Sequence, residues 1–323
     1  MNYFLIKLAF DAPVHFGLPD GGQTLAASQE FLHADSLFSA LCHTALQLQG
    51  EAGIKRLCQW AEDGELLLSD MLPWQGEDCF LPKPFFMAEG RKDSPASQRK
   101  AVKKLKWIAV KDFPAFSKAL HGGDLPESCG QQPGFGAAGE RTRAAIHDGE
   151  NTVPYQVGIF SFNEDSGLYF ICAVNTEEQE KFLMSLIQVL GIGGIGGKVS
   201  SGCGKYHVED SVLLNEYFDR QTQWLYEALT EKRSYSLLLN ASLPGDGELD
   251  KAMEGASFQL VRRGGYVSSE SHSSRPLKKE TQYFFRPGSV FVNRYEGELY
   301  RVSRGGSHPV YRYGKALFLG VEL

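Results

Sequence analysis

Residues 177–206 read EEQEKFLMSLIQVLGIGGIGGKVSSGCGKY, and the order of the two halves of this stretch decides how the chain folds. In the first half, Phe182, Leu183, Leu186, Ile187 and Leu190 fall on one face at helical spacing. Asn175 or Thr176 can cap that helix, and Glu177, Glu178 and Glu180 suit its positive end. In the second half, seven of the fourteen residues 191–204 are glycine, and Lys198 and Lys205 are the only charges in residues 191–206. The segment beyond, VSSGCGKYHVE, reads as extended chain. Gly191, Gly193 and Gly196 spell G-x-G-x-x-G, but a dinucleotide fingerprint runs from strand to helix, and here the order is reversed. A Walker A loop fails as well, because Ile192 stands where its first glycine belongs and Val199 where its Ser/Thr belongs. A helix C-cap needs one glycine. Seven of them, beside Ser200, Ser201 and two ammonium groups, suit a turn whose bare amides meet an anion, above all a phosphate chain. Gly194, Gly196, Gly197, Lys198, Ser200, Ser201 and Lys205 are therefore the leading candidates to hold an RNA backbone. Tyr206, opening the strand, is either a base stacker or a core residue.

Working outward, a chain of 323 residues suggests about two domains, and 42% hydrophobic with 22% charged residues is ordinary for a globular protein with real cores. No run of about 18 apolar residues exists, and the alternating start MNYFLIKLAFDAPVHFG has no basic n-region, so neither a membrane span nor a signal peptide is read. Six cysteines without a CxxC pair argue against zinc and against a disulfide framework, and fit a reducing cytoplasm. The histidines show no metal-ligand spacing, and no cofactor is expected. A net charge of −6 argues against a general nucleic-acid binder, but the charge is segregated. Residues 91–118 hold nine Lys/Arg against Asp93 and Asp112, while the rest of the chain holds 24 basic against 37 acidic residues. Such segregation is what a local polyanion site needs.

Asn2–Phe10 alternates as a strand. Helices are expected at 36–48, with Asp35 as N-cap, and at 51–63. Residues 78–154 are irregular and rich in Pro and Gly, a long insertion of the functional or mobile kind. Strands at 155–162 and 168–174 flank NEDSG, which reads as a hairpin turn. With the helix and strand of residues 177–206, the order becomes β-α-insertion-β-β-α-β, a ferredoxin-like unit with the topology of RNA-recognition motifs. The expected fold is α+β with two such modules: residues 1–210, carrying the insertion and the Gly-rich loop, and residues 233–323, joined by a helical connector at 211–232. The second module rests on element order alone: strands at 235–242, 257–261, 282–286, 289–293, 298–304 and 316–322, with a short helix at 248–255.

Within the insertion, basic residues interleave with Phe85, Phe86, Trp107, Phe113 and Phe116, a pattern suited to single-stranded nucleic acid. Lys103, Lys104 and Lys106 are candidate phosphate contacts, and Trp107 a base stacker or a core residue. Arg141 and Arg143 follow the Gly-rich GFGAAGE and are in reach of RNA. Arg262, Arg263 and Tyr266, around Gly264 and Gly265, repeat the chemistry of guanidinium forks beside bare backbone.

The helix opening ADSLFSAL, the strand GLYFICAV and the Gly-rich loop before a last strand together resemble the RAMP superfamily proteins of CRISPR effector complexes. The segments GGKVSSGCGKY, RRGGYV and RPGSVF look like the Csm-complex subunit that caps the 5′ end of the guide RNA in type III-A systems, over nearly the whole chain. The resemblance implies a non-catalytic subunit that holds the 5′ tag of the crRNA, touches the large polymerase-like subunit on one side, and meets an adjacent backbone RAMP subunit on the other. It also implies a thumb-like hairpin wedged into the guide–target duplex, which by position is residues 82–111. Guide-processing endoribonucleases of the same superfamily use a His as general acid/base, and backbone subunits use an acidic residue, so His33, with Asp35 nearby, carries an alternative reading as a repeat-RNA nuclease. A nucleotide-binding enzyme is disfavoured by the helix-before-glycine order.

Overall fold

The computed structural model describes residues 1–18, 25–86, 100, 102–120, 127–130, 132–145, 153–216, 219–269 and 271–323. Its first half runs β1 (Asn2–Phe10), α1 (Ala34–Gln49), α2 (Glu51–Glu62), β2 (Leu67–Leu68), β3 (Leu72–Gln75), β4 (Asp78–Pro82), β5 (Trp107–Ala109), α3 (Phe113–Leu120), β6 (Gly136–Ala145), β7 (Val153–Phe162), β8 (Ser166–Val174), α4 (Glu177–Gly193) and β9 (Tyr206–Leu213). The second half runs α5 (Arg220–Thr230), β10 (Tyr235–Leu238), α6 (Leu249–Met253), β11 (Leu260–Arg263), β12 (Gln282–Phe285), β13 (Val290–Phe291), β14 (Leu299–Arg301), β15 (Tyr311–Tyr313) and β16 (Phe318–Val321).

β8 is the axis of the main sheet. All nine of its residues are buried, as its near-continuous apolar sequence requires. β1 lies antiparallel beside it from Asn2↔Val174 to Ala9↔Gly167, and β9 lies beside β1 with a register shift between Lys7 and Leu8. On the other edge β8 pairs with β3 and β2, giving the order β5-β4-β3-β8-β1-β9 with β2 on β8. Thr176 and Gln179 close a reciprocal capping box at the start of α4, one of the two caps expected from sequence. α4 then packs against α1 and lays Leu183, Leu186 and Ile187 into the core.

Four expectations are corrected here. β7 and β8 do not form a hairpin, because both edges of β8 are taken by β1 and by β2 with β3. β7 instead pairs over ten residues with β6 and is held on its other side by Val14, whose amide and carbonyl both bond Phe160. The second strand of the first unit is therefore β3, not residues 155–162. The connector is only partly helical, since β9 extends to Leu213 and the helix is confined to Arg220–Thr230. The second half does not copy the first: among the described residues it forms a three-stranded sheet, β13-β10-β16, two separate two-stranded ribbons, and one five-residue helix after β10. Last, Asp35 does not cap α1. His33 holds the N-cap position with no side-chain cap bond, and Asp35 sits inside the first turn.

The two halves share one core. A single hydrophobic cluster runs from Phe4, Ile6 and Leu8 through Leu186 to Tyr313, Leu319 and Leu323. Tyr313 of β15 is fully buried and stacks at a tilt on Phe38 of α1, with ring centroids 5.2 Å apart. Its hydroxyl accepts the Leu68 amide at 3.0 Å and donates to the Leu66 carbonyl at 3.3 Å. Tyr313→Phe removes that acceptor inside the core, and the expected loss is about 1–3 kcal/mol, read from urea denaturation of the full chain.

Candidate nucleic-acid interface

The glycine-rich loop leaves α4 at Gly194, whose φ of 92° lies in a region closed to most side chains. Ile195 then plugs into the core, and the chain folds back so that the Ile195 amide bonds the Gly204 carbonyl at 2.9 Å. The fit is tight enough that a Cβ on Gly204 would stand 2.0 Å from the Ile195 carbonyl oxygen. Much of the glycine content is thus spent on the loop's closure upon itself and on its approach to His15 and Phe16. The amides of Gly194 and Gly197 are engaged by the Leu190 and His15 carbonyls, so these two are not free anion donors. Among the described residues, the amides of Gly196, Lys198, Val199 and Ser200 make no hydrogen bond. Ser200, Ser201 and Lys205 are exposed. Lys198 takes a left-handed φ of 61°, and its ammonium sits 5.2 Å above the Tyr155 ring.

That ring belongs to the β6–β7 ribbon, where Tyr155 faces Arg143 across the pair. Arg143 also donates to the Ser201 carbonyl at 3.2 Å. The structure therefore brings Arg143, Lys198 and Ser201 to one place, with Arg141 two residues along the same face of β6. Tyr155 was not singled out from sequence. Only its cross-strand partner gives it away.

The loop forms one wall of a groove of about 630 Å³. The turn after β11, Arg263–Gly264–Gly265, also lines it, as does the start of α1 with His33, Asp35 and Ser36. Lys279, Arg312 and His43 line it too. Burial lowers the pKa of His43, and the charge of Lys279 lowers it further. Two glycine-rich basic turns some seventy residues apart in sequence thus line one cleft.

Charge pairs beneath the groove reassign several candidates. Arg263 clamps Asp35 as a fork, Nε to Oδ2 at 2.9 Å and Nη2 to Oδ1 at 2.6 Å, and donates again to Ser36. It is a tie between β11 and α1 rather than a free RNA contact. Burial would raise the Asp35 carboxyl, but the charge and hydrogen bonds of Arg263 outweigh it and hold the pKa below its ordinary value. His33 has a titratable partner: its Nδ1 lies 2.6 Å from Oδ2 of Asp70, which is fully buried. The other oxygen of Asp70 accepts the amides of Ala34 and Ala241. Arg262 is exposed on β11 opposite Tyr283, and exposed Tyr266 carries the Lys278 ammonium 5.7 Å from its ring.

Two aromatic candidates turn out to be core. Tyr206 is 4% exposed and donates its hydroxyl to the Ile187 carbonyl, tying β9 to α4. Trp107 is 8% exposed, lies in β5 against β4, and meets Phe31 edge-on. Residues 107–109 thus extend the main sheet rather than a projecting thumb, while residues 87–99 and 101 of that expected hairpin, with Arg91, Lys92 and Arg99, lie outside the described residues. Lys103, Lys104 and Lys106 are exposed beside this edge, away from the groove lining, and Lys106 pairs with Glu30 at 3.4 Å.

Known proteins share this architecture. A family model, the CRISPR Csm4 C-terminal domain, matches residues 231–321. The Mycobacterium tuberculosis protein named CRISPR system Cms protein Csm4 is 35% identical over 324 residues, covering 99% of this chain and 98% of that one. This chain belongs to the Csm4 family. The Csm4 protein of Streptococcus thermophilus is 28% identical over 332 residues, spanning 100% of both chains. Among solved structures, a chain of the Csm3–Csm4 subcomplex in the type III-A CRISPR-Cas interference complex superposes with a TM-score of 0.66 at 18% identity, covering 99% of each chain. A chain of a Csm1–Csm4 cassette gives 0.62 at 20% identity, covering 100% of this chain and 99% of that one. These neighbours share the mixed α/β fold with antiparallel sheets. No helix among the described residues is long and apolar enough to cross a membrane.

For a Csm4-family groove built on Asp35 and Arg263, acid is the natural probe. A carboxyl whose folded pKa is depressed stabilises the fold fully above its unfolded value, about 4, and loses that contribution as pH falls through the lower folded value. From about pH 4 downward the urea midpoint of the wild type should therefore fall more steeply than that of Asp35→Asn. In the loop, Gly204→Ala should cost at least about 2 kcal/mol, from a positive φ and the Ile195 clash together, while exposed Ser200→Ala stays within about 0.5 kcal/mol.

Proposed function

We propose that this chain is a non-catalytic, RNA-holding subunit of a type III-A Csm complex, gripping the 5′ tag of the guide RNA along the groove between its two glycine-rich turns. The observation that carries the reading is the convergence of residues 193–197, Val199 and residues 263–265 on that one groove, while Arg143 and Lys198 gather beside the glycine loop without lining it. A ribose-phosphate strand suits such a cleft, since bare backbone permits close approach and cations meet phosphates without any group needed for bond cleavage. The solved relatives pair Csm4 with Csm1 and with Csm3. By the same logic this chain bridges a large polymerase-like subunit and the adjacent backbone subunit.

Two finer assignments belong to this reading. β1, α1, β3, β8, α4 and β9 supply a β-α-β-β-α-β series whose sheet order, β3-β8-β1-β9, is that of a ferredoxin-like unit, so the N-terminal domain ends with β9 near Leu213 and α5 leads into the rest. The wedge into the guide–target duplex falls to the β6–β7 ribbon, two ten-residue strands with a largely exposed β6 that bears Arg141 and Arg143, rather than to residues 82–111.

The nuclease alternative has one feature in its favour, the buried His33–Asp70 pair, whose His33 lines the groove. Asp70 is consumed by two backbone amides as well, which is the pattern of a structural pin. Purified full chain should bind tag-containing RNA with a salt-dependent affinity and leave it intact. Specific cleavage that disappears in His33→Ala would reverse the assignment. In Lys198→Ala with Lys205→Ala, the slope of log affinity against log salt should shrink by about 0.7 for each phosphate that the protein no longer neutralises, and assembly around the guide should weaken.

A further inference from the structure

We propose that Arg312 and Lys279, neither of them flagged by the sequence, form an anion subsite in the groove that takes one phosphate of the bound strand. The inference rests on the RNA reading above and specifies one point of contact within it. Arg312 lies in β15 and is only 4% exposed, yet it lines the groove. Its Nη1 donates to the Glu280 carbonyl and to Oε1 of Gln282, both at 2.9 Å, and its Nε stands 3.7 Å from Asp35. Its Nη2 is buried and donates to no acceptor among the described residues. A buried guanidinium with a whole Nη2 amino group left over is an uncompleted hydrogen-bond set, and native proteins complete such sets with a ligand or a water.

The neighbouring charges do not complete it. Among the described residues, three cations, Arg263, Arg312 and Lys279, meet a single carboxylate in the groove lining, Asp35, and the fork of Arg263 already occupies both its oxygens. Asp70 lies beneath, bound to His33 and two amides. Glu280 turns its carboxylate to Arg304. Lys279 lines the groove, and among the described residues only its backbone amide is bonded, to Gly265. Burial lowers the pKa of its ammonium group, and the charges of Arg312 and Arg263 add to that against the pull of Asp35. An anion set between the Lys279 ammonium and the open edge of Arg312 would satisfy the spare amino group and offset the surplus charge. The volume of about 630 Å³ is far more than one small ion needs, and the groove continues to the glycine turn. A phosphate within a chain fits both facts.

The test is a binding series with full-length protein and tag-containing RNA at several salt concentrations. Wild type and Lys279→Ala are each measured on RNAs carrying one uncharged methylphosphonate at successive positions. Lys279→Ala should bind roughly tenfold more weakly, with a slope against log salt smaller by about 0.7. One methylphosphonate position should weaken the wild type and add nothing further to Lys279→Ala. RNA binding by wild type with Lys279→Ala at the same affinity, or with additive effects at every position, overturns the subsite and leaves the RNA reading standing. Failure of the wild type to bind the RNA at any salt removes both. The methylphosphonate scan on wild type needs no mutant, so a poorly folded variant does not blunt the result.

Discussion

The buried carboxylate of Asp70 holds the structure in register. It sits between β2 and β3 with no exposure, and its two oxygens accept from the N-terminus of α1 at Ala34, from the second half at Ala241, and face the ring of His33. Its own amide bonds Leu239, so backbone and side chain both bind the second half. A carboxylate out of water is tolerable only when every lone pair has a partner. Its burial therefore demands that α1, the β2–β3 junction and the segment after β10 meet at one point. Tyr313 and the Arg263–Asp35 fork repeat the demand a short way off, one through a hydroxyl and one through a bidentate pair.

The groove follows from that junction. It is lined by the start of α1, which Asp70 anchors, by the turn after β11, which Arg263 ties to α1, and by the glycine loop, fixed by Ile195 and by its close approach to Gly204. Cation surplus collects there because, among the described residues, Asp35, Asp70 and Glu280 are already committed to partners within the protein.

Much of this was legible beforehand, and the failures have a common cause. β1, α1 and α4 are long and periodic and β8 is a long apolar run, so local pattern alone located them, and the helix–glycine–strand order excluded the nucleotide folds. The β6 strand was unreadable because its sequence, GAAGERTRAA, is polar and exposed, which left β7 to be paired with the wrong neighbour. β2, β3 and β5 are two to four residues long, below what a period can show. For the site, sequence found the two glycine turns but not that they line one groove. Asp70 in LLSDM, Arg312 in YRY and Tyr155 carry no local signal, since their roles come from partners far along the chain. Arg263 and Tyr206 were noted for the right chemistry and turned out to spend it inside the protein.

What matters most is where the RNA runs. The direct measurement is photo-crosslinking of a guide whose 5′ tag carries 4-thiouridine, in the assembled complex, with the attached peptides identified by mass spectrometry. Crosslinks on both turns lining the groove, within residues 193–199 and 263–266, are the expected result. Crosslinks to this chain confined to the outer sheet edge around residues 103–106, with none in the groove, would contradict it.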